Sequence, residues 1–283
     1  MPLLVPDLPE RFTISTFGAQ YHGDSLSESK ATLIQQFETF LNASAVFVED
    51  LLQYDTERGL GLSRIWISYW KSPEGYQKWW ESPEVKQFWS SLPDDAGFWR
   101  ERLHLPKTRF VTEMSQKIPS GSLHPWMGVP QPKQPSGALR HGRVQMTKFP
   151  DNICFVMEGQ DHSSMKADET KLWSEKFNRD TKRYITNVVR SGLEAGMLIT
   201  RLCHVPHSGK IKVKLSYTDD DPDIFPALDF NRTVEIFIFL QFRYMECAGR
   251  REKPHVALRR DFMEAYEPSG AMGHGPWRDA HVG

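Results

Sequence analysis

The sequence predicts an α+β fold built by duplication. Strand and helix signals follow one another in the same order in residues 12–113 and in residues 143–262. Between the two series lies residues 115–142, rich in Pro, Gly and Ser and without periodicity. At 283 residues the chain can hold two fused units of about a hundred residues each, each with its own core.

In the first half, Phe12 to Gln20 alternates between β-formers and small or polar residues and reads as a strand. Ser25 and Glu28 stand at capping-box spacing, and Leu26, Leu33, Phe37, Phe40 and Leu41 then share one helical face. Ala45 to Leu51 and Ser63 to Trp70 read as strands on either side of a turn at Gly59 and Gly61. Ser72-Pro73 and Ser82-Pro83 place a capping side chain just before a proline, the arrangement that opens a helix. Lys107 to Glu113 is expected to close the unit as a strand.

The second half opens with strands at Arg143 to Thr147 and Ile153 to Glu158. A long helix follows, from about Lys166 to Ser191, with Trp173, Phe177, Tyr184, Ile185 and Val188 on one side. Met197 to His204 and Lys210 to Tyr217 read as strands, Ser216-Tyr217 being matched with Ser68-Tyr69. Residues 222–248 are expected to be helical and Val256 to Phe262 to form the closing strand. Within that stretch Glu235 to Phe242 has the composition of a strand, but the repeat sets it against Glu84 to Ser90, and the reading follows the repeat. The expected architecture is therefore two ferredoxin-like units, 1–114 and 143–283, joined by a linker or active-site loop at 115–142. Together they are expected to form one body of the dimeric α/β-barrel type around a central cavity.

Composition excludes several functions. Thirty-five Lys and Arg against 36 Asp and Glu give no basic surface for nucleic acid or anionic lipid. No apolar run approaches membrane-spanning length, and Met1 to Glu10 lacks the pattern of a signal peptide. Cys154, Cys203 and Cys247 are odd in number and lack metal-ligand spacing, as expected of thiols in the reducing cytoplasm. Nine Trp and 17 Phe supply either a core of large rings or an aromatic pocket, and composition does not choose between them. The triplet Asp219-Asp220-Asp221 has no second acidic cluster and reads as a solvated turn.

An ordered set of short motifs spans most of the chain. It includes Gln20-Tyr21-His22-Gly23, Ser68-Tyr69-Trp70-Lys71-Ser72-Pro73 with Trp79, Ser82-Pro83-Glu84-Val85 and Trp89, and Gly97-Phe98-Trp99-Arg100-Glu101. It continues with His141-Gly142-Arg143-Val144, Asp151-Asn152-Ile153, Gly159-Gln160-Asp161, Tyr217 and Trp277-Arg278-Asp279-Ala280. The set resembles the haem-containing aldoxime dehydratases, lyases that remove water from an aldoxime to give a nitrile.

The resemblance implies the duplicated fold above, with a b-type haem in the second half. It also implies a small-molecule substrate, apolar or aromatic, in specialised metabolism, and pairing of sheet edges into a homo-oligomer. The family's proton-donating His falls on His255 and its hydroxyl-binding Ser on Glu158. Its Arg falls in the loop Pro130 to Lys133, which holds no Arg. Its haem-ligating His falls near Thr233, where Asn231, Arg232 and Thr233 offer no ligand, so a haem would not be held by a His there. The nearest side chains of other kinds are Tyr244, Met245 and Cys247, with His204 and His207 farther off.

A carboxylate at 158 cannot copy a neutral hydroxyl. In an apolar pocket its pKa would rise, and with His255 across the cavity it would form an acid/base pair able to dehydrate or isomerise a substrate without iron. The structural alternatives are a Glu158 paired with a cation such as Lys148 and a His255 on the surface. Trp126, in the Pro-rich loop, is expected to cover the pocket or to anchor packing. A haem lyase, a haem-independent relative and a non-catalytic binding protein all remain open at this point, and a Soret band separates the first two.

Overall fold

A computed structural model of the chain describes residues 11–21, 26–53, 62–106, 153–211, 225–251 and 253–266. The chain divides into two compact units, Met1–Leu52 with Gly59–Lys148 and Gln53–Arg58 with Phe149–Gly283.

In the first unit the order is β1 (Arg11–Tyr21), α1 (Glu28–Asn42), β2 (Phe47–Gln53), β3 (Leu62–Trp70), α2 (Pro73–Trp80), α3 (Pro83–Ser91) and β4 (Phe98–Pro106). The strands lie in the order β4-β1-β3-β2, with β1 antiparallel to both β3 and β4. This is the ferredoxin-like arrangement that the sequence predicts. Ser72 and Ser82 cap α2 and α3 as expected, each hydroxyl accepting from the backbone N–H three residues on. Helix α1 is capped by Ser27, whose hydroxyl accepts from the Lys30 N–H at 3.3 Å; Ser25 lies outside the described residues. Among the described residues the strand that closes the unit is β4; Lys107 to Glu113 also lie outside them.

Rings fill this core. Phe17, Phe37, Trp66, Trp79, Phe88 and Phe98 meet largely edge to face at 5.0–6.5 Å between centroids. Several of its buried polar groups bond one another or the backbone. Ser15 and Ser68 share a hydrogen bond at 2.7 Å, Trp70 Nε1 donates to Ser15 Oγ, and Trp79 Nε1 donates to the Phe40 carbonyl. For most of the aromatic load, the core reading is the correct one.

The second unit contains β5 (Cys154–Asp161), α4 (Ala167–Leu172), a π-helical turn (Trp173–Phe177), α5 (Asn178–Arg190), β6 (Met197–His204), β7 (Arg232–Phe239), α6 (Phe242–Arg251) and α7 (Lys253–Tyr266). β7 lies antiparallel between β6 and β5. Matched with the first unit, β5, β6 and β7 take the places of β1, β2 and β3.

Two expectations are corrected here. Residues 232–239 form a strand between β6 and β5 rather than part of a helix, so Arg232–Phe239 corresponds to Leu62–Trp70. Val256 to Phe262 lies inside α7 and is not a closing strand. The repeat had been set one element out of register, since Lys210 to Tyr217 was taken as the third strand. Of that segment Lys210 makes an isolated bridge to Phe230, and residues 212–217 lie outside the described residues. No described helix is long and apolar enough to cross a membrane.

Candidate functional site

The strand register of the second unit sorts its side chains into rows. Opposed residues of an antiparallel pair project from the same face of the sheet. Cys154, Val156, Glu158 and Gln160 of β5 therefore share a face with Phe239, Phe237, Glu235 and Thr233 of β7. On the other side of β7, Thr200, Leu202 and His204 of β6 stand opposite Phe237, Glu235 and Thr233. At one end this face is apolar: Val156, Leu202, Phe237 and Phe239 pack with Ile185 and Val188 of α5. At the other end it is polar, with Gln160, Thr233 and His204 in one row and Glu158 and Glu235 in the next.

Chain direction brings more polar groups to that end. β5 ends at Asp161, and α4 and α5 run back over the sheet, so the start of α5 lies above the polar rows. Asn178, Thr181 and Lys182 are buried there. Lys182 Nζ meets Asp229 Oδ1 at 2.6 Å and also acts electrostatically on His162. His162 is buried, lies tilted against Trp173 of the π turn at 4.6 Å between centroids, and its Nε2 lies 3.2 Å from Gln160 Oε1.

These buried groups are poorly satisfied. Thr181 Oγ1, Thr233 Oγ1, His162 Nδ1, His204 Nδ1 and both carboxyl oxygens of Glu235 have no hydrogen-bond partner. Glu235 is 0% exposed and Thr233 is 3% exposed. Burying a polar group without a partner costs on the order of 1–3 kcal/mol. A cluster of them on one sheet face, where the first unit bonds its buried Ser15, Ser68, Trp70 and Trp79, marks a place built for something other than packing. A π turn adjoining it belongs to the same pattern.

Burial sets the charge states. The Glu235 carboxyl is pushed up to about 8, first by loss of water and then by the charge of Glu158. Desolvation pushes the His162 imidazole down to about 4 and lowers that of His204. The Cys154 and Cys203 thiols rise to about 11 and 12, also by burial, so neither supplies a thiolate at neutral pH.

The residues singled out from sequence fall as follows. Glu158 is on β5, exposed, directly opposite buried Glu235. His255 is not on a strand; it sits in the first turn of α7 after Pro254. Its ring stacks on Tyr184 of α5 at 4.3 Å between centroids and 27° between planes, and Nδ1 lies 2.6 Å from the Gly249 carbonyl oxygen. A carbonyl can only accept, so Nδ1 carries the hydrogen, and in the neutral ring Nε2 keeps its lone pair. Thr233 is on β7 and presents a hydroxyl. Trp126, Lys148 and Pro130 to Lys133 lie outside the described residues.

Glu235 was missed because its segment was read as helix. Its signal was legible, since strand alternation from Thr233 through Phe237 to Phe239 puts a carboxylate in a row that is otherwise largely apolar.

No described group of three or more His, Cys, Asp and Glu is placed to hold a bare metal ion. Haem asks less of a protein, because the porphyrin supplies four nitrogens and the chain need add only one axial donor. His255 fits that part: its tautomer is fixed by a backbone carbonyl, leaving Nε2 to donate, and this is how ligating histidines are commonly held.

The sequence matches the family described as haem-containing dehydratase over residues 15–124 and 127–281. No curated protein sequence matches it. Among solved structures it is similar to an aldoxime dehydratase (OxdRE) in complex with butyraldoxime, at a TM-score of 0.61 and 15% identity over 89% of this chain and 75% of that one. A second aldoxime dehydratase matches with a TM-score of 0.59 and 14% identity, over 89% and 76% of the two chains. At these identities the structural likeness speaks for the fold.

Proposed function

Because the chain belongs to the haem-containing dehydratase family, we propose that it is a lyase that removes water from an aldoxime to give a nitrile, with its site on the helix-facing side of the β5-β7-β6 sheet. The observation that carries the reading is the concentration of unsatisfied buried polar groups on that face, in the same unit as an imidazole held as a ligating histidine would be. His255 is the residue that would hold the haem. When bound, the iron supplies an open coordination position for the oxime nitrogen.

The chain's own residues do the rest. Phe237, Phe239, Val156 and Leu202 form the apolar part of the face, which favours a substrate with an apolar or aromatic body. Glu158 and Glu235 supply a group able to hold a proton near the leaving hydroxyl, which departs far more readily as water than as hydroxide. His255 does not serve as the proton donor in this reading, since the strand that was to carry it is a helix.

A second reading follows from the opposed carboxyls themselves. An acid/base pair of this kind could run a dehydration with no haem, so activity must be measured with and without hemin. Purified protein given hemin and a reductant is expected to convert butyraldoxime to butyronitrile, and protein without hemin is not. Turnover that ignores hemin would favour the haem-independent reading, and no nitrile from a protein that binds hemin would overturn the proposed reaction.

A further inference from the structure

We propose that Glu235 is the proton donor of this site, its buried carboxylic acid giving its proton to the departing hydroxyl while Glu158, at the solvent side of the same strand pair, restores it. The inference rests on the dehydratase reading above and adds a residue that neither family resemblance nor sequence spacing assigned.

The geometry carries it. Glu158 and Glu235 are register partners on adjacent antiparallel strands, with side chains on one face. Directly opposed side chains of this kind have Cβ atoms about 5 Å apart. Two carboxylates so placed repel, and the pair relieves this by keeping one proton. The proton resides on the member with less access to water. Glu235 is 0% exposed, whereas Glu158 is exposed. Burial and the Glu158 charge accordingly hold Glu235 neutral at pH 7.

The other charged and titratable groups nearby leave this assignment standing. The Thr233 hydroxyl and the Glu235 backbone N–H lower its pKa, and burial together with the Glu158 charge outweighs them. Cys203 of β6 remains a thiol. The buried cation of α5, Lys182, is taken by Asp229. Thr181 and His204 add polar atoms without charge at neutral pH.

The step balances. The N–O bond of the aldoxime breaks with both electrons going to oxygen, and the Glu235 proton joins that oxygen to form water. The hydrogen on the aldoxime carbon leaves as a proton while the third carbon–nitrogen bond forms, and the carboxylate pair takes it up. The pair ends with the one proton it began with, and nothing is oxidised or reduced.

The test uses the full chain with hemin, butyraldoxime as probe, and the variants Glu235→Gln, Glu235→Asp and Glu158→Gln. Infrared difference spectra are expected to show a protonated-carboxyl absorption at neutral pH in the wild type and in Glu158→Gln, absent in Glu235→Gln. In Glu158→Gln its titration midpoint should move to lower pH, because the repelling charge is gone. For Glu235→Gln, kcat is expected to fall by about 10²-fold with little change in KM, and Glu235→Asp should recover part of the loss. Absence of the absorption from the wild type, or wild-type kcat in Glu235→Gln, overturns the proposal while leaving the dehydratase reading intact. If the wild type makes no nitrile, that reading fails separately. The infrared arm then decides for Glu235: a shift of its absorption on adding butyraldoxime supports contact with the hydroxyl, and no shift overturns it.

Discussion

Burial raises the Glu235 carboxyl to about 8 and lowers the His162 imidazole to about 4, so the two couple stability to pH with opposite signs. From their ordinary values of 4.5 and 6.5 the windows follow. Between pH 4.5 and 6.5 the folded state holds a proton on Glu235 that the unfolded chain has lost, and lacks one on His162 that the unfolded chain still holds. The two slopes offset. From pH 6.5 to 8 only Glu235 acts, and stability falls with rising pH by up to about 1.4 kcal/mol per pH unit. Urea unfolding across this range is expected to show a plateau and then a decline in the wild type. In Glu235→Gln the decline disappears, and stability instead rises between about pH 4 and 6.5 as His162, with His204 acting in the same direction, loses the opposing effect. A flat wild-type curve from pH 6.5 to 8 would contradict the assignment. At this scale Glu158 was legible from its place before Gly159-Gln160-Asp161. The pairing with Glu235 was not, because the meeting of the two depends on a strand register that spacing along one segment cannot reveal.

Local signals gave most elements correctly wherever they were strong. Cap-then-Pro pairs located α2 and α3, and the apolar face from Trp173 to Val188 located α4, the π turn and α5. The error came from letting one level overrule another. Glu235 to Phe239 has strand composition, and trusting the repeat over it shifted every later element, turning α7 into a strand and His255 into a strand residue. A π turn inside a helix leaves little mark on apolar periodicity, so its place at Trp173–Phe177 could not be read from the sequence. Gly196 shows an element boundary with a definite physical cause. Its φ of 75° ends a short 3-10 turn just before β6, and the Tyr244 ring of α6 occupies the space a Cβ would need. Gly196→Ala must strain the backbone and displace that ring, and is expected to cost about 1–3 kcal/mol. Wild-type stability of Gly196→Ala in thermal unfolding would show that α6 does not rest on this turn as described.

The two units share the arrangement of their first three strands. The first is a ring-filled core in which Ser15, Ser68, Trp70 and Trp79 are bonded, as expected of a scaffold. The second carries the orphaned hydroxyls, the opposed carboxyls and the tautomer-fixed histidine. Duplication was legible in the sequence because it repeats strong local signals. The asymmetry was not, because it lies in which buried atoms find partners, and that is a property of the folded unit. The central claim is that the second unit holds haem through His255. Resonance Raman spectroscopy of the hemin-loaded, reduced protein tests it most directly. An iron–histidine stretching band is expected in the wild type and absent from His255→Ala, with recovery of a comparable band when imidazole is added to the variant. The same band persisting in His255→Ala without imidazole would contradict the account.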